Sequence, residues 1–470
     1  MTSLEIYNTL TRKKDEFKPL KDKVVTFYQC GPTVYWTQHI GNLRAMVMAD
    51  LIVRSLKYLG YQVKFVRNYT DVGHLTSDED EGEDKMEKGA KREGLNPGEI
   101  ADKYIKIFEQ DVKELNCQEP WKKPKATEYI KEMQAMVQTL LDKGFAYQTD
   151  LAIYFDITKA KNYTALSGQD LAKNISESGK GEVSDPNKKQ PADFALWFFK
   201  AGVHKNAIQT WPSPFKSALV EESRGFPGWH IECSAMAKKL LGDTIDLHMG
   251  GVEHISVHHT NEIAQSEAAN GVKFVDYWLH NEHLTVDGGK MAKSAGTSYS
   301  LQEIKAKGFD PLALRYLFLQ AHYRSKQNFT WKSLAAAQTS LVGLRGRVLD
   351  YKKRNEKGKI NDKFKDKFIE ALKDDFNIPK ALAIVWDLLK SGLDNKDKLA
   401  TFLDFDEVLG LGLGQDKEIE IPKKVEELAK KHFALWKNKK FEESDKLRQE
   451  IAEKGYIIED SPEGYKLKKK

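Results

Sequence analysis

The first regular pattern along the chain is an apolar, β-branched and aromatic run, VVTFYQC (Val24–Cys30), which stops at Gly31-Pro32. Such a run reads as a buried parallel strand that delivers a loop to a site. From Leu43 to Leu59 apolar residues recur at helical spacing, Met46, Ile52, Val53 and Leu56 among them, and Gly60 stands where a helix stops. A second strand, YQVKFVRNYTD, follows at once. Strand, helix and strand in this order predict a βαβ unit with parallel strands, because such crossovers are right-handed. The expected first domain is a doubly wound α/β sheet with ligands at the carboxyl ends of its strands.

Beyond it, SDEDEGEDKMEKGAKREG, beginning at Ser77, is an acidic run followed by a basic one and reads as a solvated helix or loop. From about Trp121 to Trp211 the texture changes to short strand candidates, Leu151–Asp156 and Phe194–Phe199, around a polar loop, SESGKGEVSDPNKKQP. This predicts an insertion between two halves of the α/β fold. The α/β pattern returns with DTIDLHMGG, a strand meeting paired glycines, and a helix from about His258 to Asn270. From Leu312 onward the chain reads as helices. A small charged module follows Pro422 and ends in a hairpin-like stretch, GYIIEDSPEGYKL. There is no internal repeat.

At 470 residues the chain is too long for one compact core, so two to four domains are expected. Hydrophobic residues at 40% and charged residues at 30% describe an ordinary globular protein rather than a disordered or membrane one. No stretch approaches the roughly 18 apolar residues of a membrane span, and the opening MTSLEIYNTLTRKKDEF lacks the basic-then-apolar order of a secretory signal. Three cysteines (Cys30, Cys117 and Cys233) make no disulfide framework and suit a reducing compartment, most simply the cytoplasm. A net charge of +5 permits a nucleic-acid partner without demonstrating one. The lysine-rich stretch Tyr351–Phe368 and the terminal KLKKK read, taken alone, as solvated surface.

Two short motifs are candidates for phosphate chemistry, although four residues such as HIGN are a weak signal alone and many surface loops contain His and Gly. HIGN (His39–Asn42) follows the first strand and opens the first helix, where unpaired amide groups and the positive dipole end favour an anion. His39 and Asn42 supply donors there, and Gly41 permits close approach. KMAKS (Lys290–Ser294) lies in a glycine-flanked loop after the last recognisable strand, and Lys290 and Lys293 can reach a pyrophosphate. A K-x-x-K pattern among 74 basic residues means little alone; its order and placement give it weight.

Cys30 ends the first strand, Cys233 lies in PGWHIECSAM, and His258 and Glu262 are spaced i, i+4 on one helix face. Thiolate, imidazole and carboxylate are all zinc donors. By spacing alone, two distant cysteines are more often buried hydrophobes than ligands, so both readings stay open at this point.

HIGN and KMAKS resemble the two phosphate-gripping motifs of class I aminoacyl-tRNA synthetases, each departing by one residue from the usual HIGH and KMSKS. Within that class the chain resembles the cysteinyl-tRNA synthetases along nearly its whole length. It reads CGPTVYWTQHIGN where that family has Cys-Gly-x-Thr-Val-Tyr ahead of HIGH. PGWHIECSAM is matched without a change, as are Asn68-Tyr69-Thr70-Asp71 and the segment His258–Ser266. The resemblance implies a Rossmann-like doubly wound parallel sheet split by an insertion, followed by a mainly α-helical C-terminal half with a small terminal module. The implied boundaries are residues 1–120 and 216–285 for the two catalytic halves, 121–215 for the connective insertion and 286–340 for the KMAKS loop and stem-contact region. Residues 341–421 would form a helical bundle and 422–470 an anticodon-associated module.

Residue by residue, the resemblance implies a zinc site of Cys30, Cys233, His258 and Glu262, one ion per chain, with His259 a neighbour. It places Gly31, Thr70, Trp229 and His248 around bound cysteine. ATP, with Mg2+, would meet Thr33, His39, Gly41, Asn42, Gly250, Gly251, Glu253 and Lys293, with His39, Asn42, Lys290 and Lys293 carrying catalysis. The family usually has Asp at the place of Glu253 and commonly Trp at that of Phe215, and FKSALVEESRGFPGWH is longer than usual. Cys117 matches no functional position and is expected to pack.

The implied reaction is attack of the cysteine carboxylate on the α-phosphate, then transfer to tRNA(Cys), with positioning and electrostatic stabilisation doing the catalysis. Rejecting serine by 10⁴ to 10⁵ requires on the order of 5.5–7 kcal/mol, which a metal–thiolate bond can supply. Expected partners are tRNA(Cys), L-cysteine and ATP; no membrane is expected, and the chain is expected to be a monomer. Trp436 and Tyr456, near lysines, are candidates for stacking on unpaired bases or equally for the core. Two rivals are weighed: a cysteine ligase acting on an amino sugar, which would share the active-site motifs but is disfavoured by the long C-terminal extension, and an inactive, zinc-stabilised tRNA-binding homologue, disfavoured by the intact HIGN and both KMAKS lysines.

Overall fold

The computed structural model describes residues 3–72, 84–169, 185–291, 296–353, 356–414, 423–461 and 464–469. A hairpin of β1 (Glu5–Asn8) and β2 (Lys13–Glu16) leads to the central strand β3 (Val24–Gln29), helix α1 (Ile40–Tyr58) and strand β4 (Gln62–Arg67). Strands β3 and β4 pair in parallel from Val24↔Gln62 to Gln29↔Arg67, the βαβ unit that the apolar pattern predicts. α1 is buried nearly all round, with Leu43, Val47 and Leu51 along one face and Met46, Val53 and Leu56 on others, and it ends at Leu59 before Gly60, whose φ of 93° continues no helix. Helices α2 (Lys85–Glu93) and α3 (Pro97–Glu114) follow. The described part of the acidic-to-basic run is thus a helix, but it is not wholly solvated. Asp84 caps it, and Met86, Gly89 and Ala90 are buried, because those small and apolar residues share one face amid the charges.

The insertion is α4 (Ile130–Asp142) with a four-stranded antiparallel sheet, β5 (Ala146–Gln148), β6 (Ala152–Phe155), β7 (Phe194–Phe199) and β8 (Gly225–Pro227), in that order. All six residues of β7, FALWFF, are buried. A Cβ on Gly228 would lie 2.0 Å from the Ala195 carbonyl oxygen, so helix α5 (Trp229–Leu241) starts in direct contact with β7. Phe155, Phe194, Trp197, Cys233 and Met236 share one core, which joins the insertion to the helix that carries Cys233.

Strand β9 (Ile245–Gly251), helix α6 (His258–Asn270) and strand β10 (Val275–Asn281) complete the nucleotide-type sheet, whose order is β10-β9-β3-β4, all parallel. The chain therefore leaves β3 toward β4 on one side and receives β9 on the other. That reversal opens a crevice at the carboxyl ends of β3 and β9.

Short strands β11 (Leu284–Val286) and β12 (Gly289–Lys290), helices α7 (Leu301–Ala306) and α8 (Pro311–Leu319), and strand β13 (Gln327–Phe329) follow. Helices α9 (Trp331–Lys352), α10 (Asp362–Lys373), α11 (Ile378–Lys390) and α12 (Asn395–Leu409) form the helical half. Their apolar faces share one core with α1, and a buried Asp50–Arg315 pair at 2.6 Å pins α1 to α8. Residues 414–470 form a separate compact unit. It comprises α13 (Lys423–Lys437), α14 (Phe441–Glu453) and the hairpin β14 (Tyr456–Ser461) and β15 (Gly464–Lys469), around Val425, Ala429, Ile451, Tyr456 and Ile458. Among the described residues no helix is long and apolar enough to cross a membrane.

Candidate active site and metal centre

Hydrogen bonds, most of them between backbones, stitch together the loops at the sheet's carboxyl edge. The Cys30 amide donates to the Met249 carbonyl (3.1 Å), tying the end of β3 to β9. Beyond it, Val34 donates to the Thr70 carbonyl and Thr70 to the Pro32 carbonyl, each at 3.1 Å, and Thr33 bridges Thr70. The Gly31 amide donates to Asn68 Oδ1 at 2.9 Å. Backbone approach here is so close that a Cβ on Gly31 would sit 1.7 Å from the Asn68 carbonyl oxygen.

Onto this edge α5 brings Cys233, and α6 brings His258 and Glu262. The two sulfurs lie 4.0 Å apart, and Cys30 Sγ is 3.8 Å from Glu262 Oε1. His258 Nε2 is 2.9 Å from Glu262 Oε1, as the i, i+4 spacing requires. Donor atoms of Cys30, Cys233, His258 and Glu262 all fall within 4.8 Å of one another, with all four residues buried. A second group, Cys30, His248, His259 and Glu262, meets the same limit. His259 Nε2 is 3.4 Å from Cys30 Sγ, closer than the other sulfur. Two sulfurs with one nitrogen and one oxygen donor suit a soft divalent metal better than the second group's single sulfur, so the residues fit a metal ion as donors.

The charges suit that use. The Cys233 thiol is held down at about 6 by the hydrogen bond from Cys30, helped by His258 and opposed by burial. Burial, then Cys233 and Glu262, raises the Cys30 thiol, so the two sulfurs share a proton. Burial opposes the charged form of His258, yet Glu262 and Cys233 raise it to about 10. Burial likewise opposes ionisation of Glu262, but His248 and His258 hold it well below the usual carboxylate range. Burial keeps His230, His259 and His280 neutral.

α6 is unusual in being polar and buried. His258, His259, Asn261, Glu262, Gln265 and Ser266 are all inside, and Gln265 and Ser266 bond to Ser234 at 2.7 and 2.8 Å. Such a helix is stable only if its partners satisfy it. Trp229 stacks on His258 at 4.3 Å and His248 on Trp278 at 4.7 Å, while Thr70 Oγ1 accepts from Asn68 Nδ2 at 3.3 Å and Asn68 Oδ1 faces Cys233 Sγ at 3.9 Å.

On the HIGN side, His39 caps α1 and accepts from the Asn42 amide at 3.2 Å. The Asn42 side chain donates to Gln38 Oε1 at 2.6 Å, which fixes it across the first turn. A Cβ on Gly41 would lie 2.2 Å from Met291 Cε, so the KMAKS methionine rests on the HIGN glycine. Lys290 is exposed on β12, and Lys293 lies outside the described residues. Beside Gly250 and Gly251 an added Cβ would meet His254 at 2.5 Å and the Glu253 carboxylate at 2.2 Å, so side chains of the next turn fold back over both glycines. A cavity of about 740 Å³ opens beside His39, lined also by Trp36, Gln38, Lys106 and Gln302; Cys30, Cys233, His258 and Glu262 do not line it.

His230, His280 and Asn68 also stand at the site, although the sequence assigns none of them an individual role. His230 Nδ1 stands 3.0 Å from His258 Nδ1, and His280 Nε2 stands 2.7 Å from His259 Nδ1, behind the donors. For the two histidines the signal was the density of histidines between His230 and His280 in a chain with only 12.

Residues 16–339 match the family of tRNA synthetases class I (C) catalytic domains, and residues 367–413 match the DALR domain. The chain is 43% identical to cysteine–tRNA ligase 1 of Burkholderia lata, over 99% of this chain and 96% of that one. It is 40% identical to the cysteine–tRNA ligase of Treponema denticola, covering 97% and 98%, and 40% identical to that of Chlorobaculum tepidum, covering both chains completely (100%). In fold it is similar to Mycobacterium tuberculosis methionyl-tRNA synthetase in complex with methionyl-adenylate, at a TM-score of 0.55 and 14% identity over 83% of this chain and 90% of that one. With a parallel sheet, a sulfur-bearing donor cluster at its carboxyl edge and such likeness from end to end, the chain belongs to the cysteine–tRNA ligase family of class I aminoacyl-tRNA synthetases.

Proposed function

We propose that the chain activates L-cysteine with ATP and transfers it to tRNA(Cys), and that Cys30, Cys233, His258 and Glu262 hold one Zn2+ for this purpose. The observation that carries the reading is the convergence of those four buried donors at the switch point of the sheet. Held there, the metal would supply a Lewis acid with affinity for the substrate's sulfur. Gly31, Thr70, Trp229 and His248 surround that position and orient the amino acid.

In the first step a carboxylate oxygen of cysteine attacks the α-phosphorus, and the bond to the β-phosphate oxygen breaks to release pyrophosphate. In the second, the terminal ribose hydroxyl of tRNA attacks the carbonyl carbon and AMP leaves. His39, Asn42 and Lys290 are assigned to the phosphates, with Lys293 completing the set; Thr33, Gly41, Gly250, Gly251 and Glu253 are assigned to the nucleotide. ATP is taken with Mg2+, as in the family. Holding reactants in line and stabilising the growing charge suffices here, since no protein nucleophile is required.

Residues 341–421 and 422–470 are assigned to tRNA, the latter to the anticodon end. The DALR match at 367–413 and the full-length likeness support a tRNA acceptor over an amino sugar. We place the enzyme in the cytoplasm as a monomer, where reduced thiols persist. The test is cysteine-dependent ATP–pyrophosphate exchange together with charging of unfractionated tRNA and metal analysis. Exchange, charging and one zinc per chain are expected; exchange without charging would overturn the tRNA assignment, and a flat exchange assay on metal-loaded protein would overturn the activity.

A further inference from the structure

Two residues past Asn42, in the first turn of α1, Arg44 is fully buried. Its guanidinium donates to Gln327 Oε1 (3.1 Å) and to the carbonyls of Glu282, His322 (3.1 Å) and Ser325 (3.0 Å). Those acceptors are the root of the hairpin that presents KMAKS. Glu282 donates to the Tyr323 carbonyl at 2.9 Å and Gln327 to the His283 carbonyl at 3.2 Å, while Leu284 of β11 pairs with Gln327 of β13. From that root β11 turns through Asp287 and Gly288, both in the left-handed region, into β12, where Lys290 pairs with Thr285. Lys290 thus hangs one short hairpin away from the grip of Arg44. Residues beyond KMAKS return to the same place: Ile40 donates to the Tyr299 carbonyl at 2.8 Å, and His39 bridges Ser300. Both flanks of the KMAKS segment are therefore fastened to the turn that carries HIGN.

All four acceptors of Arg44 are neutral, and among the described residues no carboxylate pairs with it. Burial alone draws the guanidinium down to about 10, with Glu282 opposing from longer range. A buried cation without a counterion is an expensive way to fill space, and an apolar side chain of similar volume would pack more cheaply. What only the guanidinium offers is a rigid, planar set of donors that addresses several segments at fixed angles. We propose that Arg44 is a positioning residue for adenylate formation, which sets the Lys290 hairpin in register with His39 and Asn42 so that both motifs meet the same phosphates. This rests on the ATP-dependent activation proposed above.

The test is a double-mutant cycle on the full-length, metal-loaded chain, reading single-turnover formation of cysteinyl-adenylate at saturating cysteine and ATP. Arg44→Lys keeps the charge and loses the fork; it should slow the step on the order of a hundredfold, the scale of a misplacement near 1 Å. The KM for cysteine and the metal content should stay at wild-type values, which a general loosening of the fold would not allow. Combined with Lys290→Ala, the double variant should be no slower than the slower single variant, because both changes remove the same contact with phosphate. Gln327→Met, which takes away one acceptor at similar volume, should show a smaller loss and the same non-additivity, and it carries the cycle if Arg44→Lys does not fold. Independent, multiplying effects, or a wild-type rate in Arg44→Lys, would overturn the proposal. A wild-type chain that forms no cysteinyl-adenylate would instead count against the activity itself.

Discussion

His248 Nε2 lies 2.9 Å from Glu262 Oε2, with both side chains fully buried, while Glu262 Oε1 faces His258 at the same distance. Glu262 is thus gripped from both sides by imidazoles on different elements, β9 and α6. The carboxylate that is to serve as a donor cannot rotate without breaking one contact. His248→Phe keeps the stack on Trp278 and removes the N–H donor. Metal affinity should fall by roughly 10–100-fold, the usual penalty for losing a partner behind a ligand. Competition with a chromophoric chelator measures it; unchanged affinity would show that Glu262 is held without His248.

The two overlapping donor groups make opposite claims about adjacent histidines. If Cys30, Cys233, His258 and Glu262 bind the metal, His258→Ala and Cys233→Ser should each purify largely metal-free. His259→Phe should retain it, because His259 is not among those four donors, although its Nε2 stands 3.4 Å from Cys30 Sγ. Metal analysis after gel filtration decides the matter. A loaded Cys233→Ser beside an empty His259→Phe would move the site to Cys30, His248, His259 and Glu262.

Local pattern located the elements that carry this centre, whereas the set of four donors came from the family resemblance, since spacing alone left ligand and packing readings open. VVTFYQC followed by Gly-Pro located Cys30, and α6 runs over His258–Asn270, the range expected from sequence. What could not be read were relations across the fold. Nothing in the spacing of Arg44 announces acceptors nearly 300 residues away, or in His230 that its ring faces His258. The charged stretch after Ser77 misled in part for the same reason. Its buried face is three small or apolar residues, too sparse to stand out until α3 packs on them.

Gly31 gives a test of the backbone rather than of the donors. It needs no unusual dihedral, so only space forbids a side chain. A Cβ would stand 1.7 Å from the Asn68 carbonyl oxygen and 2.7 Å from its carbon, neither of which can swing away as a flexible side chain can. Gly31→Ala must therefore part the loops after β3 and β4. We expect a loss of about 1–3 kcal/mol in stability, with a raised KM for cysteine because Cys30 and Thr70 move apart. Urea midpoints and exchange kinetics check both; a stable variant with wild-type KM would mean that the two loops are not in contact.

Asp111 offers a pH signature far from the metal. It is fully buried on α3, accepts from Gln302 at 3.4 Å through one oxygen, and has no hydrogen-bond partner on the other. Burial, with Glu114 adding like charge, pushes its carboxyl up to about 6. In the unfolded chain the same group titrates near 4. Between those values the folded state binds the proton more tightly, so this contribution to stability is complete below about 4 and disappears as pH rises through about 6. Asp111→Asn carries no charge at either end and keeps an acceptor for Gln302. Relative to wild type it should therefore gain stability as pH rises, reaching at most about 3 kcal/mol above pH 7, and the two should converge near pH 4. Urea midpoints at pH 4.5, 6 and 7.5 measure the gap. A gap that stays constant across that range would mean that Asp111 ionises in the folded chain as freely as in water.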